Sequence, residues 1–350
     1  MNKCIFVDAA NELSVREIPE FYRPRGSQSL VKVRYSGINP ADLNHTKHLG
    51  MNNNVCGYEI CGTVIEAGET SRYTVGDIVF GSNKPGRSKP AYHGGHQDFA
   101  ILESDTMSMK LPSQVPNADA AALGIMVRSA GDALINLFEI PFPAINVHGP
   151  PAAGGLLVWG GASAVGTAAI QLAKAMELSP IFAVASSANH NTLLELGATK
   201  CFDYRDSDVV KLIGDAAGKE QNGIKYVFDT VCKEGSLGTM DLCELIATEK
   251  DVKFAGCLPQ FGRPRWKLVM ASRGADVPVP FELPGQIGKA NMQWESRLER
   301  TVAWAANTYG VQFRIPNVTI VKGAERGIQA IRDVNEGKVN FAKIVIEHPL

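Results

Sequence analysis

Apolar residues in the first third of the chain come in short runs, at 4–7, 30–35, 62–66, 78–80 and 99–102, broken by Pro, Gly and polar turns. In Leu30-Val-Lys-Val-Arg-Tyr one side is apolar and the other polar, the two-residue period of a half-buried strand. Such runs over 3–122 predict an antiparallel, barrel-like domain. An alanine-rich helical run then reaches 138, and the proline-rich stretch 139–153 predicts a surface loop. From 156 the pattern changes. Strand-like runs at 156–159, 181–185, 200–203, 226–228 and 252–255 alternate with helical spacing near 189–196, 208–217 and 237–247. This alternation predicts a parallel sheet with helices on both faces and a ligand beyond the C-terminal ends of its strands. Residues 258–283 read as an irregular, partly mobile stretch of the kind that forms substrate loops. A helix at 294–309, a strand-like run at 311–321 around Pro316, a helix at 324–335 and a strand at 343–347 complete the chain.

The chemistry concentrates at 156–174, Leu-Leu-Val-Trp-Gly-Gly-Ala-Ser-Ala-Val-Gly-Thr-Ala-Ala-Ile-Gln-Leu-Ala-Lys. A strand stops at Gly160 and Gly161, and a small-residue turn through Ser163, Ala164 and Val165 enters a helix. The glycines admit a close approach by a pyrophosphate, and the helix start offers free N–H groups to it. Ser163 occupies the place of the second glycine in the strict G-x-G-x-x-G pattern, which makes the turn a variant. The next strand ends at Ser186 and Ser187, with Asn189 just beyond and no carboxylate where an NAD-binding unit places one. Hydroxyls and the amides of Ser187 and Ala188 suit a 2′-phosphate, so NADPH is expected over NADH; the serines also suit a helix N-cap, and both roles are compatible.

At 350 residues, 45% hydrophobic and 20% charged, the chain is long enough for two cores. A formal net charge of -1 supplies no electrostatic footprint for nucleic acid or an anionic membrane. No apolar leader or uninterrupted apolar span is evident, so a cytoplasmic protein acting on a small molecule is expected. The seven cysteines form no C-x-x-C pair and are expected as free thiols.

The segments Gly-Ile-Asn-Pro-Ala-Asp at 37–42, Gly-Tyr-Glu-Ile-Cys-Gly-Thr-Val at 57–64, Val-Gly-Asp-Ile-Val-Phe-Gly at 75–81, the turn at 159–166 and Phe-Asp-Tyr-Arg at 202–205 resemble the medium-chain dehydrogenase/reductase superfamily. Within it they resemble the zinc-independent quinone oxidoreductases, and most of all the fungal branch with trans-acting enoyl reductases. The matches run in order over nearly the whole chain. The resemblance implies an α/β fold: a doubly wound parallel-sheet (Rossmann) domain at 123–292, and a GroES-like antiparallel β-barrel catalytic domain from 1–122 and 293–350. It also implies a polyketide synthase as a partner in trans.

Zinc-dependent relatives hold their metal with a cysteine and a histidine where this chain has Asn39 and Tyr58. An amide and a phenol replace thiolate and imidazole poorly, so no metal site is expected. His93, His96 and Asp98 lie in a Gly-rich loop without a fourth ligand. Without a Lewis acid, hydride transfer suits an already conjugated acceptor, whose enolate then needs a proton. By resemblance the nicotinamide lies near Asn39, Pro40 and Ser129, and Tyr204 contacts the adenosine phosphate. Tyr58, Asn44 and Arg128 are the candidate substrate-side groups: a donor, a carbonyl-orienting amide, and an anion-pairing or simply solvated guanidinium. His45 reads as a loop residue rather than a proton shuttle, Lys174 as solvated, and Asp229 with Thr230 either touches the ribose or caps a turn. The expected activity is NADPH-dependent reduction of a conjugated C=C bond. Carbonyl or quinone reduction, or a non-redox reaction such as cyclisation in an NADP(H)-binding cleft, stands as the alternative.

Overall fold

Six parallel strands run through the middle of the molecule in the order Lys200–Phe202, Ile181–Val184, Gly155–Trp159, Ile224–Asp229, Lys253–Gly256, Trp266–Leu268. Gly155–Trp159 and Ile181–Val184 are buried along their whole length, which is why they read as unbroken apolar runs. The chain winds outward from Gly155–Trp159 to one side, then crosses over to Ile224–Asp229, so these two strands are neighbours where the winding reverses. A ligand crevice belongs at their C-terminal ends. The computed structural model describes residues 1–83, 85–86, 89–220, 223–235, 237–259, 262–277 and 288–350.

The sixth strand falls inside the stretch expected to be irregular. Trp266 is 5% exposed, and its ring packs 5.0 Å from that of Phe254, so burial of one aromatic orders the segment. Of the 258–283 expectation, residues 260, 261 and 278–283 lie outside the described residues.

The second sheet has the order Val318–Lys322, Lys343–Glu347, Gln28–Gly37, Glu59–Ala67, Ile78–Ser82, Ser108–Lys110, with Phe99–Glu103 also paired to Gln28–Gly37. Its pairs are antiparallel except Val318–Lys322 with Lys343–Glu347, which the crossover helix Ala324–Asn335 makes parallel. Pro316 lacks an N–H, and the strand expected from 311 begins only at Val318. Pairing of Val345 with Gly37 returns the C-terminal segment to the N-terminal barrel. The edge strand Leu13–Ile18 was not legible in the pattern, because only Leu13 of it is buried.

Between the sheets lies the core helix Asn117–Gly131, continued by a π-helical segment Asp132–Leu137. Asn117–Leu137 is long and apolar enough to cross a membrane, but 94% of its apolar window is buried inside the protein. The helix approaches the barrel so closely that a Cβ on Gly37 would stand 2.0 Å from the Ala121 carbonyl oxygen. The proline-rich stretch is no simple surface loop: Ile140, Phe142 and Ile145 are buried, and the Phe142 ring meets Trp304 edge-on at 5.0 Å. A helix absent from the sequence reading, Ala41–Leu49, starts at Pro40 and ends at Gly50 in the left-handed conformation.

Candidate active site

Gly160 ends the first parallel strand at φ +81, and a Cβ there would stand 2.4 Å from Val231 Cγ2 and 2.5 Å from Thr230 Oγ1. Thr230 is fixed, its hydroxyl bonded to the carbonyls of Trp159 and Gly160 at 3.0 Å and 2.8 Å from Ser163 Oγ. Ser163 caps the helix Ala164–Ala175 by accepting the Gly166 N–H at 2.9 Å. The amides of Ala164 and Val165 are left without a partner among the described residues. Flat glycine backbone at Gly160 and Gly161 before an open helix start fits a diphosphate. Asp229 takes the capping alternative: it is fully buried, and its carboxylate accepts the amides of Val231 and Cys232 at 2.9 Å and the Thr239 hydroxyl.

At the end of the second strand the structure corrects one expectation. Val184 and Phe202 are register partners in adjacent parallel strands, so Asp203 emerges beside Ser187. Its Oδ2 accepts the Ser187 N–H at 3.0 Å, and the Arg205 and Ser187 amides hold its carboxyl below the usual range. A carboxylate therefore stands where none was expected, and the Ser187 amide is already engaged. Ser186 Oγ accepts from Asn189 Nδ2 at 3.2 Å. Tyr204 is exposed, with the Arg205 guanidinium 4.7 Å over its ring, so Arg205 adds a cation that the sequence reading missed. Lys174 is exposed, as read.

A narrow gap of about 10 Å³ lined by Met126, Ala162, Ala164, Asn317, Ala342 and Lys343 marks the cleft between the glycine turn and the barrel. Lys343 Nζ reaches Asn39 Oδ1 at 2.7 Å and Glu59 Oε1 at 3.2 Å, and Asn39 Nδ2 donates to Glu59 Oε1 at 2.7 Å. Glu59 also accepts the Ile125 N–H of the core helix at 2.8 Å. Asn39 is thus locked in a buried amide–carboxylate–ammonium network. Pro40 is exposed at the helix start, and Ser129 is 9% exposed on the core helix.

Tyr58, the residue before Glu59, packs with His45 and with Lys89, the latter not singled out from the sequence. His45 is helical rather than in a loop, and its Nδ1 is 2.9 Å from the Tyr58 hydroxyl. Lys89 Nζ stands 4.5 Å from the Tyr58 ring centroid and donates to the Gly57 carbonyl at 3.1 Å. Burial pushes the phenol well above its ordinary value, lowers His45 to about 4 and lowers Lys89 to about 8. Only the three-dimensional approach of a loop and a helix could reveal this group. Asn44 faces elsewhere, its carbonyl accepting from Asn335 Nδ2 at 2.8 Å, so the role of orienting a substrate carbonyl is not what its oxygen does. Asn39 and Tyr58 are committed to hydrogen bonds, and among the described residues no group of three or more His, Cys, Asp or Glu is arranged for a metal. The zinc donor set does not fit. His96 instead bridges Asp42 at 3.1 Å and Ser36 at 2.9 Å, fully buried, in a hydrogen-bonded chain that continues to His348 and Asp98.

Arg128 is corrected outright. It is 1% exposed and ion-paired to Glu295, and its Nε donates to the Ala271 carbonyl at 2.5 Å. Beside it Arg273 grips Asp132 in two bonds, and the carboxylates of Asp132 and Glu295 accept the amides of Met270 and Arg273 at 2.9 and 2.6 Å. Arg128 borders a cavity of about 220 Å³ against Phe80, Met107 and Arg300, but its guanidinium is occupied in clamping 268–273. It is neither solvated nor free to pair with a substrate anion. Alternation of Arg128 and Asp132 four residues apart on a helix otherwise apolar was the available signal.

A doubly wound sheet with a glycine turn, joined across a cleft to a barrel, defines a two-domain nicotinamide-dependent oxidoreductase. Residues 25–113 match the alcohol dehydrogenase GroES-like domain family, and residues 164–243 the zinc-binding dehydrogenase family. The chain is 30% identical to a trans-enoyl reductase of Aspergillus japonicus, over 91% of this chain and 89% of that one. It is also 30% identical to a trans-enoyl reductase of Alternaria alternata, over 98% of each. The CurK enoyl reductase has the same fold, with a TM-score of 0.72 at 19% identity over 99% of each chain. The chain belongs to the medium-chain dehydrogenase/reductase superfamily, in its fungal trans-enoyl reductase-like branch.

Proposed function

We propose that this protein reduces the conjugated C=C bond of a small or polyketide-type substrate with NADPH, without zinc, in fungal secondary metabolism and in the service of a polyketide synthase acting in trans. The observation that carries the reading is the pair Asn39 and Tyr58: where a metal would be ligated stand an amide and a phenol already bound to Glu59 and His45. A site of this chemistry suits an acceptor activated by its own conjugation. The near-full-length similarity to trans-enoyl reductases supports the same substrate class.

A reduced nicotinamide in the cleft supplies the hydride. Gly160, Gly161, Ala164 and Val165 would hold its diphosphate by backbone contact and free amides. Ser186, Ser187 and the Arg205 guanidinium would meet a 2′-phosphate, against the opposing charge of Asp203. The Asn39–Glu59–Lys343 network fixes the barrel wall of the cleft, and the phenol of Tyr58 holds the proton the reduced substrate needs. The test is NADPH consumption against enones, quinones and polyenoyl thioesters, with product analysis. C=C saturation with no dependence on added or chelated zinc is expected. Exclusive alcohol formation, or activity abolished by chelation and restored by zinc, would overturn the proposal.

A further inference from the structure

Tyr58, His45 and Lys89 come from three separate places: the start of the strand Glu59–Ala67, the helix Ala41–Leu49 and the loop before Ala91. The phenol is 6% exposed and has one hydrogen-bond partner among the described residues, His45 Nδ1 at 2.9 Å. The ammonium of Lys89 sits 4.5 Å from the ring centroid and forms no ion pair within 4 Å among the described residues; it donates a hydrogen bond to the Gly57 carbonyl. A half-buried lysine without a carboxylate partner among the described residues is costly in the charged state. We propose that Tyr58 delivers the proton to the substrate carbon and that two positioning residues act through it, His45 resupplying the proton and Lys89 stabilising the phenolate. The proposal rests on the reductase reading above.

The phenol O–H bond breaks and a C–H bond forms at the α-carbon of the substrate enolate, so negative charge passes from enolate to phenolate. The phenolate takes the Nδ1 proton of His45 while Nε2, which has no partner among the described residues, takes one from a solvent acid. The imidazole changes tautomer without becoming a cation, which suits a ring whose burial lowers its pKa to about 4. Lys89 carries the one positive charge against the ring face, where attraction grows as the ring gains charge. The groups facing it are Asp42 and Cys56, which raise its pKa, the Gly57 carbonyl, and the Tyr58 ring; burial still brings it to about 8.

Two measurements test this. In the free protein, ¹³Cε-lysine NMR should show one lysine titrating near pH 8 that vanishes in Lys89→Met. With a conjugated substrate and NADPH, kcat of the wild type should fall above about pH 8. Lys89→Arg should move that fall upward, and Lys89→Met should give a flat profile about 10-fold lower at pH 7, with NADPH affinity unchanged. Tyr58→Phe should lose about 100-fold in kcat, in the range of general acid catalysis. An active wild type whose pH profile survives Lys89→Met, or a free protein whose lysines all titrate near 10, would sink the inference. Failure of the reductase reading itself would appear separately, as a wild type that reduces no conjugated substrate, and the NMR titration would still decide whether Lys89 is poised.

Discussion

Replacing Arg128 by Met separates a clamp from a substrate-binding residue. The guanidinium is 1% exposed, faces Glu295, itself 1% exposed, and donates to the Ala271 carbonyl at 2.5 Å. Arg128→Met removes both contacts and strands a buried carboxylate, whose remaining bond is the Arg273 N–H at 2.6 Å. Breaking one side of a buried pair costs about 3–5 kcal/mol, a large part of the ~5–15 kcal/mol that holds a domain folded. Removing both charges, in Arg128→Met with Glu295→Met, should recover much of that loss, because the remaining orphans are one amide and one carbonyl. Urea unfolding of the two single variants and the double gives the coupling directly. If Arg128 instead met a substrate anion, Arg128→Met would leave stability within about 0.5 kcal/mol of wild type and raise KM. That result would refute the clamp.

Gly160→Ala should cost about 2–4 kcal/mol, from a left-handed φ of +81 and a Cβ forced within 2.5 Å of the immobile Thr230 hydroxyl, and should weaken binding of either coenzyme, read by melting and by fluorescence titration. Ser187→Asp should weaken NADPH far more than NADH, whereas Asp203→Asn, which removes the carboxylate bonded to the Ser187 amide, should strengthen NADPH; equal changes for both coenzymes would count against a 2′-phosphate at this rim. Below about pH 6.5 the unfolded chain protonates His45 while the folded imidazole stays neutral down to about 4, so this residue lowers stability as pH falls through that window, by up to ~1.4 kcal/mol per pH unit. His45→Gln should flatten the slope of unfolding free energy between those limits.

The amino-acid sequence by itself determined the two architectures, because both rest on local periodicity: two-residue alternation in the barrel strands, and buried apolar runs between amphipathic helices in the parallel sheet. It also determined the turn at 160–166, whose left-handed Gly160 and close-packed Gly161 and Gly166 leave no room for a side chain, and the amide and phenol at positions 39 and 58. What the tertiary structure decided are pairings between distant segments. Asp203 reaches Ser187 only because two parallel strands lie in register, and Arg128 meets Glu295 only because a distant helix packs on the core helix. Lys89 and His45 converge on Tyr58 through a loop and a short helix whose pattern carries no amphipathic signal strong enough to read. Charge and hydrogen-bond partners act over a few ångströms in space, and spacing along the chain does not encode that distance.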